Sequence, residues 1–329
     1  MRMRIDGLLI VDKPQGMTSL DVVREVKLRF HVKKAGHIGT LDPFATGVLP
    51  VALNEGTKLV PFIKEDPKAY DAIMKLGEET TTDDLTGDVV LKKTWNGVTP
   101  GTIYSVSQAF CGKIRQIPPM FSAIKLKGKP LYRLARKGIT VERREREIDI
   151  YDLQIKEVVL PQVRFSVTCS RGTYIRALAR DMGRKIGCGA HLLSLRRTQS
   201  GPFILERAIP WERLQSLSGA EDLVQPLISL REALPGLPEM VGDERLVKKV
   251  RFGKEMMVGD LLRHSLPPFE RGEWLKMYSP EQELVAILKS EMKGEELRTA
   301  NPGAVALRPL RIFHPSLEGE AGKGEYRLV

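Results

Sequence analysis

Several distinct rhythms of apolar and polar positions run along the 329-residue chain. From Gly7 to Val11 nearly every residue is apolar, as in a strand covered on both faces, and Lys13-Pro14-Gln15-Gly16 turns the chain out of it. Thr18 stands three residues before Asp21 as a capping box, and Val22, Val23, Val26 and Phe30 follow at the spacing of one helical face. Val48 to Leu53 reads as a second buried strand. Tyr70, Ala72, Met74 and Leu76 alternate with mostly polar neighbours, as does the stretch from Arg164 to Thr168, so each predicts a strand with one buried face. Thr173 to Ile186 has the pattern of an amphipathic helix, and Gly187 supplies its stop. Strands and helices follow no regular βαβ order, which predicts an α+β fold on a mixed or antiparallel sheet.

Two segments break these rhythms. Between Ala35 and Gly47 the chain sets Gly36, Gly39, Pro43 and Gly47 around Asp42, and no long helix or strand tolerates that density of breakers, so an ordered loop is expected. Leu234-Pro235-Gly236-Leu237-Pro238 interrupts the pattern again, predicting one domain over residues 1–235 and a second over 236–313. In the second, short segments such as Trp274 to Tyr278 and Leu284 to Leu288 lie between Pro and Gly turns, as in a small β-barrel. Residues 314–329, rich in Gly and Glu, are expected to form a mobile tail.

Charge narrows the choice of partner. Lys and Arg number 52 against 41 Asp and Glu, a net charge of +11 that favours a polyanion. No stretch approaches the roughly 18 apolar residues of a bilayer span, and the apolar run at the start is too short for a signal peptide, so a membrane partner is not expected. The 3 cysteines, far apart and odd in number, fit neither a disulfide framework nor a CxxC site and point to the reducing cytoplasm. The 5 histidines form no HxxxH or HExxH pair, so no metal site is expected. Much of the basic excess lies between Lys113 and Arg146, where only Glu142 and Glu145 oppose a run of Lys and Arg. Interleaving with Phe121, Leu131 and Tyr132 favours a nucleic-acid-binding arm over a merely solvated surface.

The segment from Gly36 to Gly47 is the candidate for chemistry. Its glycines allow a bulky ligand to come close, and Pro43 restricts the backbone of Asp42, fixing where the carboxylate points. By residue type alone this is either an ordinary Asp-Pro turn or a held nucleophile. His37 and Tyr70 have equally ordinary readings, as a packing histidine and a core tyrosine.

Taken together, the motifs resemble those of the TruB-type pseudouridine synthases, which modify uridine 55 in the T arm of tRNA. The likeness runs from Ile10-Val11-Asp12-Lys13-Pro14-Gln15-Gly16 through His37 to Gly47, Leu76-Gly77 with Thr80, Thr82, Asp84 and Gly87, and Gln116 to Lys125. It continues in Ser170 to Arg176 and in Gly187 to Thr198, all in family order. The resemblance implies a pseudouridine synthase catalytic fold, a PUA-like C-terminal RNA-binding domain, and a thumb over residues 113–146. It implies that Asp42 is the catalytic aspartate, Arg176 its partner, and Tyr70 the aromatic that stacks on the target base and aids proton removal from C5. Tyr174 and Leu195 would line the uracil pocket, Lys125 would stand nearby, and His37 would fill the space left by the flipped nucleotide. It further implies no cofactor, tRNA as the partner, and no obligate protein partner. A catalytic subunit of a guide-RNA complex and a non-catalytic RNA chaperone are the competing readings. The long basic insertion argues against the first, and an intact Asp42, Tyr70 and Arg176 against the second.

Overall fold

The structure is a computed structural model that describes residues 5–126, 128–219, 221–223 and 226–314. It divides into two compact units. One comprises Leu8–Leu53 with Ile63–Leu227; the other gathers the residues up to Gly7, Asn54–Phe62 and the chain from Ile228 onward. A linear division near residue 235 therefore gives way to a discontinuous one, in which a 3-10 helical stretch, Asn54–Phe62, belongs with the C-terminal half.

The first unit begins with β1 (Gly7–Lys13), α1 (Ser19–Arg29), β2 (Ala35–His37), β3 (Thr46–Leu53), β4 (Lys68–Leu76) and the hairpin β5 (Glu78–Thr80) and β6 (Val89–Lys92). It continues through α2 (Pro100–Gln108), β7 (Gly112–Gln116), β8 (Lys125–Leu126), β9 (Lys129–Pro130), α3 (Leu131–Ala135), β10 (Arg146–Val159) and β11 (Gln162–Cys169). It closes with α4 (Ile175–Ile186), β12 (Ala190–Ser200), β13 (Phe203–Ile204), β14 (Ile209–Pro210), α5 (Trp211–Ser216) and β15 (Leu227–Ile228). The main sheet runs β14-β1-β3-β12-β4-β11-β10-β7. β1 with β14 and β3 with β12 are parallel, whereas β12, β4, β11, β10 and β7 are antiparallel in turn, so the sheet is mixed.

Local chemistry accounts for the elements. The capping box at Thr18 is present: its hydroxyl accepts the Asp21 N–H at 3.1 Å while the Asp21 carboxylate accepts the Thr18 N–H at 3.1 Å. α1 then buries Val22, Val23 and Val26. β4 buries Tyr70, Ala72, Met74 and Leu76, and its register sets Tyr70 opposite Arg197 on β12 and Val167 on β11. α4 ends at Gly187, whose φ of +105° is the left-handed cap that glycine adopts without strain.

The basic segment is only partly separate from the sheet. β7 pairs with the start of β10, Gln116 opposite Arg146, so the residues that leave the sheet are 117–145. They carry the small β8–β9 hairpin and α3, with Lys129, Arg133, Arg136 and Lys137 exposed.

The second unit holds β16 (Glu239–Val241), α6 (Glu244–Arg251), β17 (Met256–Met257), α7 (Val258–Leu261), β18 (Trp274–Tyr278), β19 (Leu284–Ser290) and β20 (Val305–Ile312). Its five-stranded sheet runs β16-β18-β19-β20-β17. The core packs Leu275, Met277, Val285 and Leu288 of the sheet against Val247 and Val250 of α6. Phe62 meets Trp274 edge to face at 5.1 Å. Apart from His314, the tail expected over 314–329 lies outside the described residues. Among the described residues no helix is long and apolar enough to cross a membrane.

Gly47, the second residue of β3, has a φ of +102°, and a methyl added there would lie 2.2 Å from the Arg197 carbonyl oxygen. Gly47→Ala is expected to cost roughly 2–4 kcal/mol, through the disfavoured backbone and the clash with β12. Urea unfolding checks this, since an unchanged midpoint would show that the two strands separate freely enough to admit the methyl.

Candidate active site

β2 pairs antiparallel with β3, Ala35 opposite Leu53 and His37 opposite Val51, so residues 38–45 form the connection between two tied strands. The breaker-rich segment is thus a short strand followed by a loop, because extended backbone through Gly36 still bonds to Ala52. The loop itself is held through its main chain. Ser19 Oγ accepts the Leu41 N–H at 2.9 Å and donates back to the Leu41 carbonyl at 3.1 Å. The Gly16 N–H donates to the Pro43 carbonyl at 2.7 Å. Lys13 Nζ donates to the carbonyls of Pro14 at 2.8 Å, Met17 at 2.7 Å and Pro43 at 3.3 Å. Arg197, fully buried, sends Nε to the Val48 carbonyl at 2.8 Å and Nη1 to that of Thr40 at 3.3 Å. Both neighbours of Asp42 are therefore pinned before its side chain makes any contact.

That side chain meets Arg176 of α4, whose Nε lies 2.8 Å from Asp42 Oδ2. Arg176 is 3% exposed, and its other nitrogens donate to the carbonyls of Thr82 at 2.7 Å and Phe121 at 2.8 Å. Buried Asp84 stands 3.7 Å from the same guanidinium, its Oδ1 accepting from the Thr82 hydroxyl at 2.7 Å and the Thr86 N–H at 2.9 Å. Asp42 itself keeps 35% of its side-chain exposure, so the carboxylate is anchored on one side and accessible on the other.

Tyr70, buried beside Arg197, has its phenol pushed up to about 12 by burial. It is a neutral phenol at physiological pH. Tyr174 precedes the first turn of α4, and its main chain is held by the buried Gln116 through bonds of 2.9 and 3.1 Å. Burial raises the Tyr174 phenol as well, and the Asp42 charge adds to the rise. Leu195 is buried on β12 opposite Ala72. His37 lies on β2, where burial lowers its pKa, and its Nδ1 has no hydrogen-bond partner among the described residues. Lys125 is exposed on the β8–β9 hairpin and forms no ion pair among the described residues. The structure thus brings Asp42, Arg176, Tyr70 and Tyr174 into one electrostatic neighbourhood, without drawing Lys125 into an ion pair there. Among the described residues no cluster of three or more His, Cys, Asp or Glu is arranged to hold a metal.

Residue-by-residue reading assigned no role to Lys13, Ser19 or Arg197. Lys13 and Arg197 lie within the motifs that carry the resemblance, and a second signal is polarity at positions the surrounding apolar rhythm marks as interior, as with Lys13 closing β1. Burial holds the Lys13 ammonium at about 8, below its ordinary 10.5, with the Asp42 charge working in the opposite direction. The unfolded chain consequently binds the extra proton between those two values, and this group's contribution to stability rises as pH climbs through that window. In Lys13→Met the rise is absent. Urea midpoints of both proteins near pH 7.5 and pH 10 check the point: the wild type should gain on the variant at the higher pH, and a constant difference would refute it.

With this geometry in place, comparison with known proteins is informative. The family model described as the N-terminal domain of TruB family pseudouridylate synthase matches residues 27–175. The model of the tRNA pseudouridylate synthase B C-terminal domain matches residues 176–272. The chain is 50% identical over 249 residues to the tRNA pseudouridine synthase B of Geobacter sulfurreducens, covering 76% of this chain and 82% of that one. It is 41% identical over 310 residues to that of Syntrophus aciditrophicus, covering 94% and 99%. Among solved structures, one titled as a Cbf5-Nop10-Gar1 complex aligns with a TM-score of 0.68 at 31% identity, over 94% of this chain and 85% of that chain. Another, an H/ACA RNP bound to a substrate RNA containing 2'-deoxyuridine, aligns with a TM-score of 0.67 at 28% identity over 94% and 85%. On the matched models and these identities, the chain belongs to the TruB family of tRNA pseudouridylate synthases, enzymes that isomerise uridine to pseudouridine.

Proposed function

We propose that this chain converts uridine 55 in the T arm of tRNA to pseudouridine in the cytoplasm, with Asp42 as the nucleophile. The observation that carries the reading is the Asp42 carboxylate, oriented at 2.8 Å by a buried arginine on a loop bonded at both flanking residues. A nucleophile must be placed to within about an ångström to act, and main-chain clamping of this kind supplies such placement.

The reaction is an isomerisation, so its atoms balance without any added group. The N-glycosidic bond breaks, the uracil turns, and a bond forms from C5 to the ribose as the C5 proton leaves and the freed N1 takes up a proton. Asp42 adds transiently, at the uracil ring or at the ribose, and is released unchanged. Its accessible side accepts the flipped nucleotide, since a base stacked within an RNA loop is out of reach. Tyr70 contributes its ring to the extruded base and, as a neutral phenol, a hydroxyl for proton transfer from C5. Because the ring is 7% exposed, stacking requires its cover to move on binding. Tyr174 and Leu195 line the uracil pocket, His37 occupies the place of the flipped base, and Lys125 approaches when residues 117–145 close over the RNA.

The resemblance to Cbf5 structures favours a second reading, a subunit that works with guide RNA and partner proteins. The higher identity to proteins named tRNA pseudouridine synthase B and the exposed cations of 117–145 support action on RNA unaided. Turnover of bare tRNA transcript by the isolated chain separates the two.

Asp42→Asn preserves shape and removes the nucleophile. Single-turnover pseudouridine formation on a T-arm stem-loop is expected to fall roughly 10⁴-fold or more, with RNA affinity within about three-fold of wild type. Substantial turnover by a folded Asp42→Asn protein would end the assignment.

Neutralising Lys129, Arg133, Arg136 and Lys137 together is expected to weaken tRNA binding and flatten its log-log salt dependence by about one unit per lost phosphate contact. Binding titrations across a salt series decide it, and an unchanged slope would mean that these cations touch only solvent.

A further inference from the structure

A cavity of about 310 Å³ opens in the first unit where the β5–β6 hairpin, the segment 117–145 and α4 meet. Its wall carries the guanidiniums of Arg143, Arg180 and Arg184 together with Thr80, Thr81 and Thr140. Carboxylates already engage two of the three cations. Arg184 forms a two-pronged pair with Glu79 at 2.8 and 2.6 Å, and Arg180 reaches Asp83 at 2.8 Å and Asp181 at 2.9 Å. Arg143 has no such partner among the described residues. Its Nη1 donates to the Pro118 carbonyl at 3.1 Å, and its Nε–H is buried with no acceptor.

Glu79, Asp83 and Asp181 all bond to Arg184 or Arg180, so of the three guanidiniums Arg143 is the one without a carboxylate among the described residues, and it stays protonated even where burial and the adjacent Arg180 disfavour its charge. A buried cationic donor without an acceptor is costly, and a forked guanidinium matches a tetrahedral oxyanion.

We propose that this cavity is a phosphate-binding site in which the oxyanion accepts from Arg143 Nε and is flanked by Arg180 and Arg184. It shares none of its wall with Asp42, Arg176 or Tyr70. Its consequence is mechanical. Arg143 and Thr140 belong to the segment that leaves the sheet, whereas Arg180 and Arg184 belong to α4 and Thr80 to β5, so a bound phosphate ties the base of the basic segment to the core. Arg180, which also donates to the Ile117 carbonyl at 3.2 Å, already makes one such tie. The phosphate is either one of the RNA backbone or a free anion.

The test reads stability rather than turnover and so does not depend on the tRNA reading. The full chain is melted in about 20 mM inorganic phosphate and in chloride of equal ionic strength and pH. Phosphate is expected to raise the wild-type Tm by about 2–4 °C, and Arg143→Gln to lose that rise. No rise in the wild type, or an equal rise in Arg143→Gln, overturns the site. Should Arg143→Gln not fold, Arg143→Lys takes its place: losing half the rise or more upholds the site, and an undiminished rise overturns it. The melts are then repeated with saturating tRNA transcript, a gel shift on the same samples confirming the complex. Disappearance of the phosphate effect in the complex assigns the site to the RNA backbone, and its persistence assigns it to a free anion. A chain that shifts no tRNA would defeat the tRNA reading while leaving the first comparison intact.

Discussion

A guanidinium withdrawn from water must find acceptors for its donors, and Arg176 finds them on three separate pieces of chain. Its nitrogens bond the Asp42 carboxylate and the carbonyls of Thr82 and Phe121, so the candidate nucleophile, the turn after β5 and the root of the basic segment share one buried cation. Removing one partner of a buried ion pair typically costs about 3–5 kcal/mol, because the remaining charge cannot be resolvated. The energetic asymmetry makes Arg176 a specifier of geometry: each of the three segments must arrive in the right place for any of them to be well bonded. Arg180 and Arg184, one and two turns along α4, repeat the scheme on Asp83 and Glu79, so a single helix face sets the position of the whole strip from Glu79 to Asp84.

The loop carrying Asp42 depends on the same logic applied to main chain. Lys13, Ser19 and Arg197 are buried polar groups, and their acceptors are mostly carbonyls of the loop or its flanks. A loop held in this way does not have to be ordered when substrate arrives. Asp42 thereby combines a fixed backbone and one anchored oxygen with an accessible face, which a carboxylate needs if it is to attack rather than only to pair. Two positive charges act on it, the Lys13 ammonium bonded to the Pro43 carbonyl of the loop and the Arg176 guanidinium on α4.

Much of this fold was legible in the sequence because the signals are local. The capping box of α1 needs only Thr18 and Asp21, the buried face of β4 needs only a period of two, and the stop of α4 needs only Gly187. The extent of the breaker-rich segment was less legible: Ala35 to His37 pair as strand because Val51 to Leu53 lie alongside, a fact about the partner and not about the glycines. The basic segment shows the same limit, since Lys113 and Arg115 sit in an edge strand whose existence depends on β10 some thirty residues later. The candidate site was legible mainly through family resemblance. Composition and spacing alone left Asp42 between an ordinary turn and a nucleophile.

Local periodicity, capping and net charge determined the elements, the α+β class and a polyanionic partner, since each is a property of neighbouring residues or of their sum. Only the tertiary structure decided that Asn54–Phe62 packs with the C-terminal unit, that Lys13 and Arg197 lie beneath the Asp42 loop, and that Arg143 is left with a buried donor. The reason is common to all three. Whether a polar group is satisfied depends on which distant carbonyl or carboxylate the fold brings within about 3 Å of it, and sequence spacing carries no record of that distance.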